Sequence, residues 1–104
     1  MPELNYQAIC NSPLIPKLAD HYGAHHQQLK LVEEMAELTR AIVQNNTTAI
    51  IEEMADVQIL LDQLHYLYFS NNKTDNLRTT YIATFSYKLE RQLARIQKEK
   101  RNGK

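Results

Sequence analysis

Glycine is almost missing from this chain: 104 residues contain two, Gly23 and Gly103. The three prolines, Pro2, Pro13 and Pro16, all fall within the first 16 positions. Sheet-containing folds need turn residues at short intervals, and between positions 24 and 102 neither glycine nor proline occurs. Gly-rich phosphate loops and dinucleotide fingerprints are excluded for the same reason, because they need glycines for close backbone approach. The one cysteine, Cys10, excludes an internal disulfide framework and a cysteine-based zinc site. Apolar runs of about 18 residues and signal-peptide patterns are also missing, so the expected setting is cytoplasmic, with no membrane partner.

What remains is a sequence for long helices. At 43% hydrophobic and 23% charged, the composition is that of an ordinary globular protein. The length predicts one domain over 1–104. A chain this short buries a limited core alone, which makes oligomerisation an expectation. The net charge of zero conceals an asymmetry. Positions 33–62 hold seven acids against one base, Arg40, and positions 88–104 hold seven bases against Glu90 and Glu99. Such runs are usually solvated helix faces, although an acidic middle and a basic end could also serve a ligand carrying both cation and phosphate.

The spacing predicts an all-α antiparallel bundle of three long helices plus a short N-terminal one. The short helix runs from about Leu14 to Tyr22, beside Pro13 and Pro16, and Gly23 ends it. From Ala24 to about Gln44, Leu31, Met35, Leu38 and Ile42 recur at three- and four-residue steps. Asn45-Asn46-Thr47 then break the period with cap and turn residues. A second helix covers about Thr48 to Phe69, with Ile50, Met54, Val57, Leu61, Leu64 and Leu67. The stretch 70–75 is the next loop, with Thr74 or Asp75 as cap. The third helix reaches about Lys100 and carries Ile82, Phe85, Leu89, Leu93 and Ile96.

The chemistry lies in two acidic doublets. Helix one contains Glu33-Glu34-Met35-Ala36-Glu37, and helix two contains Glu52-Glu53-Met54-Ala55-Asp56. A three-residue step puts Glu34 and Glu37 on one face, and likewise Glu53 and Asp56. For antiparallel helices about a turn near Asn45, residues whose numbers total 90 lie level. Glu34 pairs with Asp56 in this way, and Glu37 with Glu53, so four carboxylates are expected at one height. Like charges brought together need neutralising, and a hard divalent cation with oxygen ligands does so. The acids are interleaved with Met35, Leu38, Met54 and Val57, which places them at the border of the expected core.

This pattern, E-E-x-x-E, 15 intervening residues, then E-x-x-D, resembles the MazG-like members of the all-α NTP pyrophosphohydrolase superfamily. Tyr22-Gly23 and Gln27-Gln28 are similar to that family too, as is Lys88-Leu-Glu-Arg91 to its downstream basic motif. The likeness spans about residues 20–96. It implies Mg²⁺, with Mn²⁺ as a substitute, on Glu34, Glu37, Glu53 and Asp56. It also implies cleavage of a nucleoside triphosphate between the α- and β-phosphates, and a homodimer or homotetramer with sites near the subunit contact.

Phosphoryl chemistry of this kind needs charge neutralisation, in-line geometry and an activated water. Glu33 lies about 100° from Glu34 around the helix, off the metal face. It is either a base acting through water or a solvated residue. Glu52 has the same offset and is given no role. Lys88 and Arg91, on one stripe with Thr84 and Arg95, could hold the β- and γ-phosphates or snorkel at the surface. Gln27 and Gln28 could read a base edge, and His21, His25 and His26 could stack on it, although each alone reads as a surface residue. Asp62 and His65 have ligand spacing but lie two turns past the acids and read as structural.

Two other classes fit less well. A di-iron bundle needs E-x-x-H pairs, which are lacking. A non-catalytic helical module, binding nucleotide, a protein or nucleic acid through the basic tail, gives no reason for four register-matched acids. Nucleic acid is therefore not an expected partner.

Overall fold

The computed structural model describes residues 12–70 and 75–103. Every regular element among them is helical: α1 (Leu14–Val43), α2 (Thr47–Phe69) and α3 (Asp75–Arg101). Of the expected loop at 70–75, residues 71–74 lie outside the described residues, the cap candidate Thr74 among them, as does Cys10; Asp75, the other cap candidate, is the first residue of α3.

Gly23 divides α1 into the two helices that the sequence predicts. Its φ of 83° and ψ of 165° are non-helical, a conformation that costs an L side chain and suits glycine. No heavy atom lies within 4 Å of where its Cβ would stand, so the backbone angle alone sets the requirement. The short segment before Gly23 is tied back to the end of α2. There the Tyr66 hydroxyl donates to the Asp20 carboxylate at 3.0 Å.

The turn between α1 and α2 is built by two asparagines. Asn45 takes a left-handed φ of 54°, which asparagine tolerates better than most residues. Its N–H donates to Ile42 O at 3.0 Å, and the N–H of Asn46 donates to Ala41 O at 3.2 Å. That pair of bonds is a Schellman closure of α1. Asn46 then opens α2, its Oδ1 accepting from the N–H of Ala49 at 3.1 Å. The chain reverses within three residues, 44–46, and α1 packs along α2.

Contacts divide the chain into two units, Met1–Ser70 and Asn71–Lys104. In the first, one seam carries the packing. From α1 it takes Gln27, Leu31, Glu34, Leu38 and Ala41, at steps of four, three, four and three, all buried or half-buried. From α2 it takes Ile50, Glu53, Val57, Leu60, Gln63 and Leu67, equally covered. Met35, Ile42, Met54 and Leu61, which the sequence suggests as core, stand exposed. A two-helix hairpin has one seam, and these four lie outside it, exposed like Val32 and Ile51. The second unit is α3 alone, with Ile82, Phe85, Leu89, Leu93 and Ile96 along one side.

Candidate metal and nucleotide site

Two of the four motif acids lie in the hairpin seam itself. Glu34 on α1 is 17% exposed at its side chain, and Glu53 on α2 is half-buried. With exposed Asp56, each offers one carboxylate oxygen to a group whose members all lie within 4.8 Å of one another. The level pairing across Asn45 therefore brings three of the expected four together. Glu37 lines the same cleft, but its carboxylate is half-exposed and paired with Arg40 at 3.5 Å.

The electrostatics of this arrangement are unfavourable without a cation. Glu53 Oε2 is sealed from solvent and has no hydrogen-bond partner. Burial pushes the Glu53 carboxyl above its ordinary value, and the neighbouring Glu34 raises it further, with smaller contributions from Asp56 and Glu37. A buried carboxylate oxygen without a donor is costly, and a bound cation satisfies it directly. Oxygen-only donors are what hard divalent ions such as Mg²⁺ take. The residues present fit such an ion.

A base stands beside the acids. Lys30 Nζ lies 3.3 Å from Glu33 and 3.8 Å from Glu34. Its pKa is raised by Glu33 first, then by Glu34, with Asp56 adding to the effect. Glu33 is thus on the rim of the cleft, well exposed and ion-paired. The sequence reading overlooked Lys30, although its spacing to Glu33 and Glu34 is the i,i+3 and i,i+4 spacing of helical ion pairs.

A second cavity, of about 650 Å³, adjoins the carboxylate cleft and shares Lys30, Glu33, Glu34 and Asp56 with it. Tyr22, His26, Gln27 and Gln63 contribute to its lining. The rings of Tyr22 and His26 are stacked, with centroids 4.8 Å apart and planes 15° apart. Gln27 and Gln63 are 4% and 2% exposed, and Gln27 Nε2 donates to Gln63 Oε1 at 2.7 Å. Gln63 was also overlooked, although its number and that of Gln27 total 90, like those of the acid pairs.

The other candidates fall elsewhere. Gln28 is exposed and donates to the Tyr68 hydroxyl. His21 meets Tyr22 edge-on at 4.6 Å, and His25 is exposed. Asp62 accepts from Gln58 Nε2 at 2.8 Å, and His65 packs edge-on against Phe69. Both contacts lie within α2. Lys88 and Arg91 stand one turn apart on α3, where the Arg91 guanidinium lies 5.7 Å from the Tyr87 ring centroid.

No curated protein and no solved structure matches the chain. The family model for the MazG nucleotide pyrophosphohydrolase domain matches residues 24–92, about two thirds of the sequence. That span contains both acidic doublets, the asparagine turn, and Lys88 and Arg91. The chain belongs to the MazG nucleotide pyrophosphohydrolase domain family.

Proposed function

We propose that this protein is a Mg²⁺-dependent hydrolase of nucleoside triphosphates, releasing the monophosphate and pyrophosphate. The observation that carries this reading is the sealed, unpartnered Oε2 of Glu53 among the carboxylates of Glu34 and Asp56. The cluster stores an electrostatic conflict that a divalent cation relieves, and it borders a cavity of nucleoside size. Glu34, Glu53 and Asp56 would hold Mg²⁺ or Mn²⁺, with Glu37 as the fourth carboxylate of the cleft. Bound there, the ion supplies charge neutralisation and polarisation of phosphoryl oxygens.

The chain's own groups do the rest. Glu33, at the rim, accepts the proton of the attacking water as the α–β anhydride bond breaks and pyrophosphate leaves. Lys30, between Glu33 and Glu34, offsets charge at the cleft edge. Lys88 and Arg91 bind the β- and γ-phosphates, a role that suits an ammonium and a forked guanidinium. Gln27 meets the base in the adjoining cavity, with Gln28 next to it in sequence and held to Tyr68. The apolar residues beside the seam support assembly as a homodimer or homotetramer. No helix among the described residues is long and apolar enough to cross a membrane, and the proposed setting is the cytoplasm.

The test is a panel of ribo- and deoxyribonucleoside triphosphates incubated with the protein, with and without Mg²⁺, and assayed for pyrophosphate. Pyrophosphate release that requires the metal is expected for at least one triphosphate. Orthophosphate as the sole product, or release indifferent to chelation, would refute the assignment.

A further inference from the structure

The cavity beside the carboxylates ends in a buried chain of amides whose hydrogen bonds run in one direction. A glutamine Oε1 only accepts, so His26 must donate from Nδ1 to Gln27 Oε1 across 2.7 Å. Gln27 passes the polarity on by donating Nε2 to Gln63 Oε1 at 2.7 Å. The acceptor of Gln63 is therefore used from behind. Its Nε2 carries two N–H groups that neither of these bonds uses, on a side chain that is almost wholly buried. Gln63 lines the cavity, so the chain ends there on a donor. The reversed polarity would require both amides to turn over and the imidazole proton to leave Nδ1. The stacked Tyr22 and His26 rings, in the same lining, offer the flat surface on which a base rests while its edge is read.

Resting on the hydrolase reading of the neighbouring cleft, we propose that Gln63 selects the nucleobase. With the pairing-edge ring nitrogen facing it, one N–H of Nε2 donates to cytosine or adenine, where that nitrogen carries a lone pair, over uracil, thymine or guanine, where it carries a hydrogen and only the flanking carbonyls accept. A donor facing a donor in a buried site leaves both without a partner, and that mismatch is the source of discrimination. His26 is a positioning residue, acting through Gln27 to keep the Gln63 amide from turning over.

The experiment is calorimetric titration of the full chain with CMP, UMP, AMP and GMP, alongside pyrophosphate release from the matching triphosphates. CMP is expected to bind more tightly than UMP, and AMP than GMP, by roughly tenfold or more. Gln63→Met should bring both ratios close to one. His26→Ala should also collapse them, by letting the amides reverse, whereas loss of its ring from the stacking surface alone would weaken all four nucleotides alike and leave the ratios standing. Gln58→Ala, a change at an exposed glutamine of α2 bonded to Asp62, should leave the ratios as they are. If Gln63→Met does not fold, His26→Ala decides, because that side chain is exposed. Equal affinities in the unmodified protein, no binding of any monophosphate, or ratios that survive both substitutions would overturn the proposal. Base preference without pyrophosphate release would support it while refuting the hydrolase reading. Pyrophosphate release without preference would refute it alone.

Discussion

Glu53 concentrates the chemistry of this protein in one side chain. It lies in the seam that holds the hairpin together, and its Oε2 has no donor. Its carboxyl is raised above 4.5, by burial first and then by Glu34. At a pH between the ordinary and the raised value, the folded metal-free chain therefore binds more of this proton than the unfolded chain does. Since the native state binds more protons, stability should fall as pH rises from the unfolded value through the raised native one, and then level off. Glu53→Gln removes that charge while keeping the shape. Thermal melts of the metal-free protein should show the variant melting higher at neutral pH, by on the order of a few degrees, with the acid-side slope flattened. In the unmodified protein, added Mg²⁺ should raise the melting temperature by binding only the folded state, and Glu53→Gln should lose most of that gain. A variant that melts lower and still gains from Mg²⁺ would show that Glu53 holds the hairpin together and holds no ion.

At the level of the elements, the hairpin depends on its turn. Asn45, in the left-handed region at φ 54°, sets the reversal that brings α1 level with α2. Asn45→Gly should leave the urea midpoint unchanged or raise it. Asn45→Val should cost about 1–2 kcal/mol, since a β-branched residue is strained at that angle. Asn46→Ala should cost about 1 kcal/mol through the lost cap on Ala49. Leu60→Ala, in the buried seam, should cost roughly 2–5 kcal/mol. Much of this was legible in the sequence. Gly23 and the asparagines marked the breaks because backbone angles are local constraints that only a few residue types satisfy. The register followed from the turn, and it placed Glu34 level with Asp56. The seam was read less well. Periodicity identifies an apolar face but not which part of it a single neighbour covers, so Met35 and Met54 were expected inside. The Lys30 ion pairs follow helical i,i+3 and i,i+4 spacing, whereas whether Glu37 turns to Arg40 or to the other acids depends on its rotamer, which spacing does not decide. The Gln27–Gln63 bond follows the same register but joins uncharged side chains, which leave no charge pattern in the sequence.

Across the whole molecule, the helices carry more apolar surface than one hairpin seam can cover. Met35, Ile42, Met54 and Ile51 lie beside the seam, and α3 has its own stripe from Ile82 to Ile96. Exposed apolar residues of this kind are what the proposed homodimer or homotetramer would cover. Sedimentation at micromolar concentration should report a dimer or tetramer. Met54→Glu, which puts charge on the side face without entering the seam, should shift it toward monomer. A stable monomer in the unmodified protein would contradict the assembly. The central claim, that the register-matched carboxylates carry metal-dependent hydrolysis, is tested most directly by Asp56→Asn. Asp56 is exposed, so the change spares the fold while removing one charge from the cluster. In an assay of Mg²⁺-dependent pyrophosphate release at matched folded concentration, turnover should fall by at least about a hundredfold. Turnover equal to that of the unmodified protein would contradict the account.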